Sequence, residues 1–345
     1  MIDLELLPKV ELHAHLNGSV RDSTLRELVS ALHVGDVSSE RRAMMLESLD
    51  ASTRTLSDCF VIFDAIHRVT STVAATERIA AEVVEDFADQ NCVYLELRTT
   101  PKQTPTMSKQ DYVSAVLRGI ARGVASRAID VGLLLSINRA TDSAATALEC
   151  VELARAFRDA GACVYGVELS GNPTKGDVRL FADAIAAAHR HALGVSIHIG
   201  EVADRDDELM ALLDMRPHRI GHAVFMSDAA RAVVLERRIP IEMCLTSNVL
   251  TDSVASYADH HMREYAASGH PLVLCTDDCA VFGTTLTREY ELARTHLGVS
   301  DARFVELARS AVDCVLAWPG AVRDKVRARV EEQLRTLTEE AKRLI

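Results

Sequence analysis

His13 and His15 stand two residues apart in the stretch Val10-Glu11-Leu12-His13-Ala14-His15-Leu16-Asn17-Gly18. In a strand, alternate side chains share a face, so the two imidazoles point the same way about 7 Å apart along the chain. Neutral imidazoles are common metal ligands, and a pair so placed can give two nitrogens to one ion. An edge strand with two solvated histidines fits the same spacing, so partners elsewhere must decide. Groups able to bind metal or move protons recur along the chain. They include Glu168-Leu169-Ser170-Gly171, His198-Ile199-Gly200-Glu201, Gly221-His222, Thr246-Ser247-Asn248 and Thr276-Asp277-Asp278.

Eight short apolar runs precede or carry these groups: Val10–Leu16, Cys92–Arg98, Val131–Asn138, Cys163–Leu169, Gly194–Ile199, Arg219–Ala223, Ile239–Cys244 and Pro271–Thr276. Several are nearly continuous in apolar residues, as parallel strands buried on both faces are. Helical periodicity fills the intervals at Ala74–Ala88, Asp111–Ala125, Ala144–Ala160 and Val178–Ala192. Strand–helix alternation repeated about eight times predicts an α/β fold, a TIM-type (β/α)8 barrel. A doubly wound open sheet is the alternative, but no Gly-x-Gly-x-x-Gly follows the first run. In a barrel the active site lies at the C-terminal strand ends, where these polar groups fall. About 75 residues separate the first two runs, far more than one crossover needs. Leu25–Leu32, Arg42–Leu49 and Leu56–Thr70 read as helices inserted there, over the barrel mouth, as packing or as part of a substrate pocket. Asp301–Ile345 reads as two helices interrupted at Trp318-Pro319-Gly320, and residues 1–345 as a single domain.

The 48% hydrophobic content supports a large core, and a net charge of -12 argues against binding nucleic acid or anionic membranes. The eight cysteines include no CxxC pair and read as reduced, buried thiols. No run approaches the ~18 apolar residues of a membrane span. No basic segment leads into an apolar core and cleavage site at the N-terminus. A cytoplasmic location is expected.

The chain resembles the zinc-dependent adenosine/AMP deaminases of the amidohydrolase superfamily. The resemblance rests on His13-Ala14-His15, Ser170-Gly171, His198-Ile199-Gly200-Glu201, Gly221-His222 and Thr276-Asp277-Asp278, in the family's order. Leu7-Pro8-Lys9-Val10-Glu11-Leu12-His13-Ala14-His15-Leu16-Asn17-Gly18-Ser19 and Tyr94-Leu95-Glu96-Leu97-Arg98-Thr99-Thr100-Pro101-Lys102 are similar to the adenosine deaminase-like branch. That branch contains enzymes converting N6-methyl-AMP to IMP and methylamine. The resemblance implies one zinc ion held by His13, His15, His198 and Asp277, with room left for water. It implies that Glu201 protonates the purine N1, and that His222 and Asp278 orient the attacking water and move its proton. Asp278 would also meet N7, and the Gly171 N–H would meet N3, where a missing Cβ permits close approach.

A nucleotide substrate needs a phosphate site. Arg98, Thr99, Thr100 and Lys102 offer hydroxyls, N–H groups and cations suited to one, while Pro101 stiffens the turn. The resemblance adds His15, Asn17 and His67 as contacts; for His67, flanked by Phe63 and Ile66, core packing is the competing role. One departure stands out: Ser136-Ile137-Asn138-Arg139 has Asn where the branch has Asp, so the contact made by Asn138 carries no charge. The other eight histidines, His33, His189, His191, His218, His260, His261, His270 and His296, read as surface or packing. The expectation is a monomeric zinc hydrolase that takes the 6-amino or 6-alkylamino group off an adenine nucleotide. Adenosine deaminase activity and a catalytically silent nucleoside-binding role are the alternatives. The H-x-E and P-C-x-x-C pattern of cytidine deaminases is absent.

Overall fold

The computed structural model describes every residue except 33–36, 51–54, 126, 318–319 and 344–345. His33 and the Trp318-Pro319 part of the expected helix interruption therefore lie outside the described residues. Eight strands run β1 Lys9–His15, β2 Cys92–Thr99, β3 Asp130–Asn138, β4 Val164–Ser170, β5 Gly194–Ile199, β6 Arg219–His222, β7 Ile241–Met243 and β8 Leu272–Leu274. Each pairs in parallel with the next, in the order β1 to β8. A parallel bridge between Ala14 and Asp277 joins the last strand's exit back to the first. This is the expected (β/α)8 barrel. Glu11 reinforces the seam, accepting from the His13 N–H at 2.6 Å and from the Thr276 N–H and hydroxyl, each at 2.9 Å.

Fifteen helices surround it among the described residues. The insertion after β1 contains α1 Asp22–Ala31, α2 Ser39–Asp50 and α3 Leu56–Val69, and α4 Val73–Asp89 leads into β2. The outer ring continues with α5 Lys109–Val124, α6 Ala144–Asp159, α7 Ala182–Arg190, α8 Asp206–Asp214 and α9 Asp228–Arg237. Serine and threonine caps start several of these helices: Ser108 and Asp111 form a capping box on α5, as do Thr55 and Asp58 on α3. The expected Val178–Ala192 helix is split, because a 3-10 turn at Val178–Phe181 precedes α7. Short helices unanticipated by periodicity follow the last strands: α10 Leu245–Leu250, α11 Met262–Ala267 and α12 Cys279–Phe282. Then come α13 Leu286–Leu297, α14 Asp301–Ala311 and α15 Ala321–Arg343. The highly charged α15 buries Val326, Val330, Val-to-Leu spaced Leu334 and Leu337 along one stripe, which seats it on the barrel.

The barrel lumen departs from an apolar core. Alternate strand residues such as Leu95, Leu97, Val167, Leu169, Val195 and Ile197 are buried aliphatics, and the residues between them are polar and equally buried. Arg98 reaches across to Glu168 on β4 at 2.8 Å and to Glu242 on β7 at 2.9 Å. Arg219 on β6 pairs with Glu96 on β2 at 2.5 Å and with Glu242 at 2.6 Å. Pairs between non-adjacent strands span the interior, so the lumen is an ionic lattice beneath the mouth.

Candidate active site

The strand ends bring the expected metal-binding groups together. β1 presents His13 and His15 on one face, and β5 presents His198. His15 Nε2 lies 3.3 Å from His198 Nε2 and 3.3 Å from Asp277 Oδ1, which is also 3.4 Å from His13 Nε2. β8 stops at Leu274, so Asp277 and Asp278 escape strand alternation. Asp277 takes a left-handed backbone, φ +63°, and its N–H donates to the His13 carbonyl at 2.8 Å. His222 is likewise left-handed, φ +62°, a conformation that side-chain-bearing residues adopt at a cost and that is met at functional sites.

The donor set fits a metal ion. His13 Nε2 is buried and, among the described residues, makes no hydrogen bond of good geometry. One ligand atom from each of His13, His198, His222 and Asp277 falls within a 4.8 Å sphere of mutual distance, and His15, Glu168 and His198 form an overlapping group. Nitrogen and carboxylate donors suit a borderline divalent cation. Carboxylates back the imidazoles: His13 Nδ1 contacts Glu242 Oε2 at 2.6 Å, and Glu168 lies 3.6 Å from Nδ1 of both His15 and His198. Burial alone would protonate these two acids, but Arg98 holds both below the usual carboxylate range. One guanidinium thus anchors the acids behind all three histidines.

Glu201 lies beyond β5 with Oε1 3.9 Å from His222 Nε2. Burial, reinforced by the Asp277 charge, pushes its carboxyl up to about 8, so it holds a proton at neutral pH. Burial draws His222 down to about 3. Burial and then Asp277 raise Asp278 well above the usual range, while the histidines keep Asp277 ionised against its own burial. Ser247 on α10 donates to Asp277 Oδ2 at 2.7 Å.

Above this cluster opens a cavity of about 700 Å³, of ordinary small-molecule size. His15, Asn17, His67, Thr99, Thr100, Asn138, Gly171, Glu201, His222, Asp277 and Asp278 line it, with Phe60 and Phe63 from α3 at the rim. The insertion therefore forms part of the pocket. Gly171 has φ +103°, and a Cβ there would come 2.3 Å from Asn138 Oδ1. Gly18 backs onto the carboxylate of Asp278, 1.6 Å from where its own Cβ would stand. His13 sits wholly beneath the pocket. Pro101 and Lys102, next along the chain from Thr99 and Thr100, are not among the residues that line the cavity. The turn after β2 carries them outward, and the Lys102 ammonium meets Thr70 Oγ1 at the end of α3. Burial lowers Lys102 to about 8; burial and then the Lys102 charge lower His67.

Residue types at strand ends did not reveal Glu242, Tyr112 or His260. Glu242 left one trace, an acid inside the apolar Ile241-Glu242-Met243. Tyr112 on α5 bonds Thr99 Oγ1 at 2.7 Å and also Asn17, tying the end of β2 to the turn after β1. Nothing in its local sequence marks it. His260 and His261, read as surface or packing, are packed against the site, with His260 fully buried.

Comparison with known proteins adds kinship to this geometry. Residues 8–333 match the family model described as adenosine deaminase. An N6-mAMP deaminase of Arabidopsis thaliana is 42% identical over 338 residues, covering 91% of this chain and 94% of its own. The human N6-methyl-AMP deaminase is 35% identical over 321 residues, covering 90% and 89%. A crystal structure of Arabidopsis ADAL complexed with IMP superposes with a TM-score of 0.88 at 42% identity, over 95% of this chain and 97% of that one.

Proposed function

The chain belongs to the adenosine deaminase family, and from that premise we propose that it hydrolyses N6-methyl-AMP to IMP and methylamine. It is a hydrolytic deaminase, and its metal site is the His/Asp cluster. The observation that carries the substrate assignment is a proton-holding carboxyl, Glu201, in a pocket that Asn17, Thr99 and Thr100 also line. Relatives named for N6-methyl-AMP and a relative complexed with IMP support the same substrate class.

Zinc suits His13, His15, His198 and Asp277, and when bound it would lower the pKa of a water so that a nucleophile is available near neutrality. Glu201 lends its proton to N1 as oxygen adds at C6, which relieves the charge entering the ring. Gly171 meets N3 through its N–H, and Asp278, kept protonated by burial and Asp277, donates to N7. His222 faces the added oxygen, and Ser247 holds Asp277 in place. When the C6–N6 bond breaks, the proton lent by Glu201 stays on N1, one proton of the water leaves on the departing amine, and the other restores Glu201. Asn17, His67, Thr99 and Thr100 receive the 5′-phosphate and ribose beside Asn138. Pro101 shapes that turn, and Lys102 supplies charge from behind it.

The rest of the reading is a monomer of one domain, residues 1–345, working in the cytoplasm without nucleic-acid or membrane partners. All eight cysteines are free, the net charge is -12, and among the described residues no helix is long and apolar enough to cross a membrane. Product analysis tests the function: N6-methyl-AMP incubated with the zinc-loaded protein should yield IMP and methylamine in equal amounts. Release of methylamine without IMP, or neither product, would overturn it.

A further inference from the structure

Behind His222 runs a chain of buried hydrogen bonds with a fixed direction. His222 Nδ1 lies 3.2 Å from Asn248 Nδ2, Asn248 Oδ1 lies 3.1 Å from His260 Nε2, and His260 Nδ1 lies 3.1 Å from the backbone nitrogen of Met262. All three side chains are buried, so a polar atom left unpaired among them would be costly.

The Met262 N–H can only donate. His260 Nδ1 therefore accepts, which excludes a doubly protonated ring and puts the single proton of the neutral imidazole on Nε2. That N–H needs an acceptor, and the only acceptor in an amide side chain is its oxygen. Asn248 must present Oδ1 to His260 and Nδ2 to His222. The flipped amide would aim donors at both nitrogens of His260, which a neutral ring cannot accept. Asn248 Nδ2 then donates to His222 Nδ1, and the proton of His222 is left on Nε2. That nitrogen faces the site, 3.9 Å from both Asp277 Oδ2 and Glu201 Oε1. His261, from the same turn, donates its Nε2–H to the His222 carbonyl at 2.7 Å and steadies the left-handed backbone there.

We infer that Asn248 and His260 are positioning residues that fix His222 as a hydrogen-bond donor towards the reacting oxygen. A protonated Nε2 has no lone pair to offer, so His222 is neither a metal ligand nor the base that deprotonates water, although its nitrogen lies as near the cluster as those of His13 and His198. The inference rests on the deaminase reading for what His222 faces, and on the hydrogen-bond geometry alone for its tautomer.

Long-range proton–nitrogen correlation spectra of the zinc-loaded protein, labelled with 15N-histidine, read that tautomer directly. The wild-type ring of His222 should show a protonated Nε2 and a bare Nδ1. In N248D an acceptor faces Nδ1, and that nitrogen should gain a proton. Steady-state kinetics should show kcat down about 10- to 100-fold in N248A and H260A with KM within about twofold, and H260Q, which restores an N–H donor, should recover most of the loss. A protonated Nδ1 in the wild type, a bare Nδ1 in N248D, or an unchanged kcat in N248A would overturn the inference. An inactive wild-type protein with a bare Nδ1 would overturn the deaminase reading and leave the hydrogen-bond chain standing.

Discussion

A carboxylic acid keeps its proton at neutral pH only where burial or a like charge opposes ionisation, and Glu201 has both. It lies off the ligand cluster, so E201Q should bind metal as the wild type does while kcat falls by about 10²- to 10⁴-fold. Metal analysis alongside turnover checks both halves, and near-normal activity would remove Glu201 from the reaction. In the proposed phosphate site, Lys102 sets the pH dependence of substrate choice. Burial lowers its pKa to about 8, and only the charged form attracts phosphate. The preference for nucleotide over nucleoside should be full below that value and decline about tenfold per unit as pH rises through it. The ratio of kcat/KM for N6-methyl-AMP to that for N6-methyladenosine measures this, since ionisation of Glu201 affects both substrates alike. Asn17, Thr99 and Tyr112 meet behind the pocket, so Y112F should raise the nucleotide KM and leave the nucleoside KM unchanged.

At the scale of elements, the site depends on where strands stop. β6 ends at His222 and β8 at Leu274, and the left-handed turns that follow re-aim His222 and Asp277 inward. Strand ends were legible because each apolar run is punctuated by His, Glu, Asp or Asn, and the barrel rule says where those ends gather. The inserted helices were legible too, from the length of chain between the first two strands. Short elements were not: α10 to α12 are four to six residues each, too brief for periodicity to show. Ser247 and Asn248 stood out as residue types, but the helix that carries them did not, and neither did the place of His260 beside them. The supporting acids were hidden for a different reason. Glu242 serves His13 from 229 residues away, a pairing only the closed barrel creates. E242Q should weaken metal affinity about 10- to 100-fold, as measured by competition with a chelator, because the carboxylate that orients His13 is lost.

Taken whole, the molecule is a barrel whose strands turn an apolar face to the surrounding helices and a charged one to the lumen. Arg98 and Arg219 are fully buried and share Glu242 between them. Buried ion pairs of this kind are costly to break from one side. R98M would leave Glu168 and Glu242 without their common partner and should destabilise the fold by about 3–5 kcal/mol in equilibrium denaturation. The lattice faces the mouth through His13, His15 and His198, so the same charges that constrain the core also orient the metal-binding rings. Composition could not reveal this, because charged residues at 26% are ordinary and their gathering in the lumen follows from strand register. The central claim is that this barrel deaminates a purine nucleotide and needs its 5′-phosphate. Steady-state comparison of N6-methyl-AMP, AMP and adenosine on the zinc-loaded protein tests it most directly. Highest kcat/KM for N6-methyl-AMP, with adenosine lowest, is the expected order; a higher kcat/KM for adenosine than for either nucleotide would contradict the account.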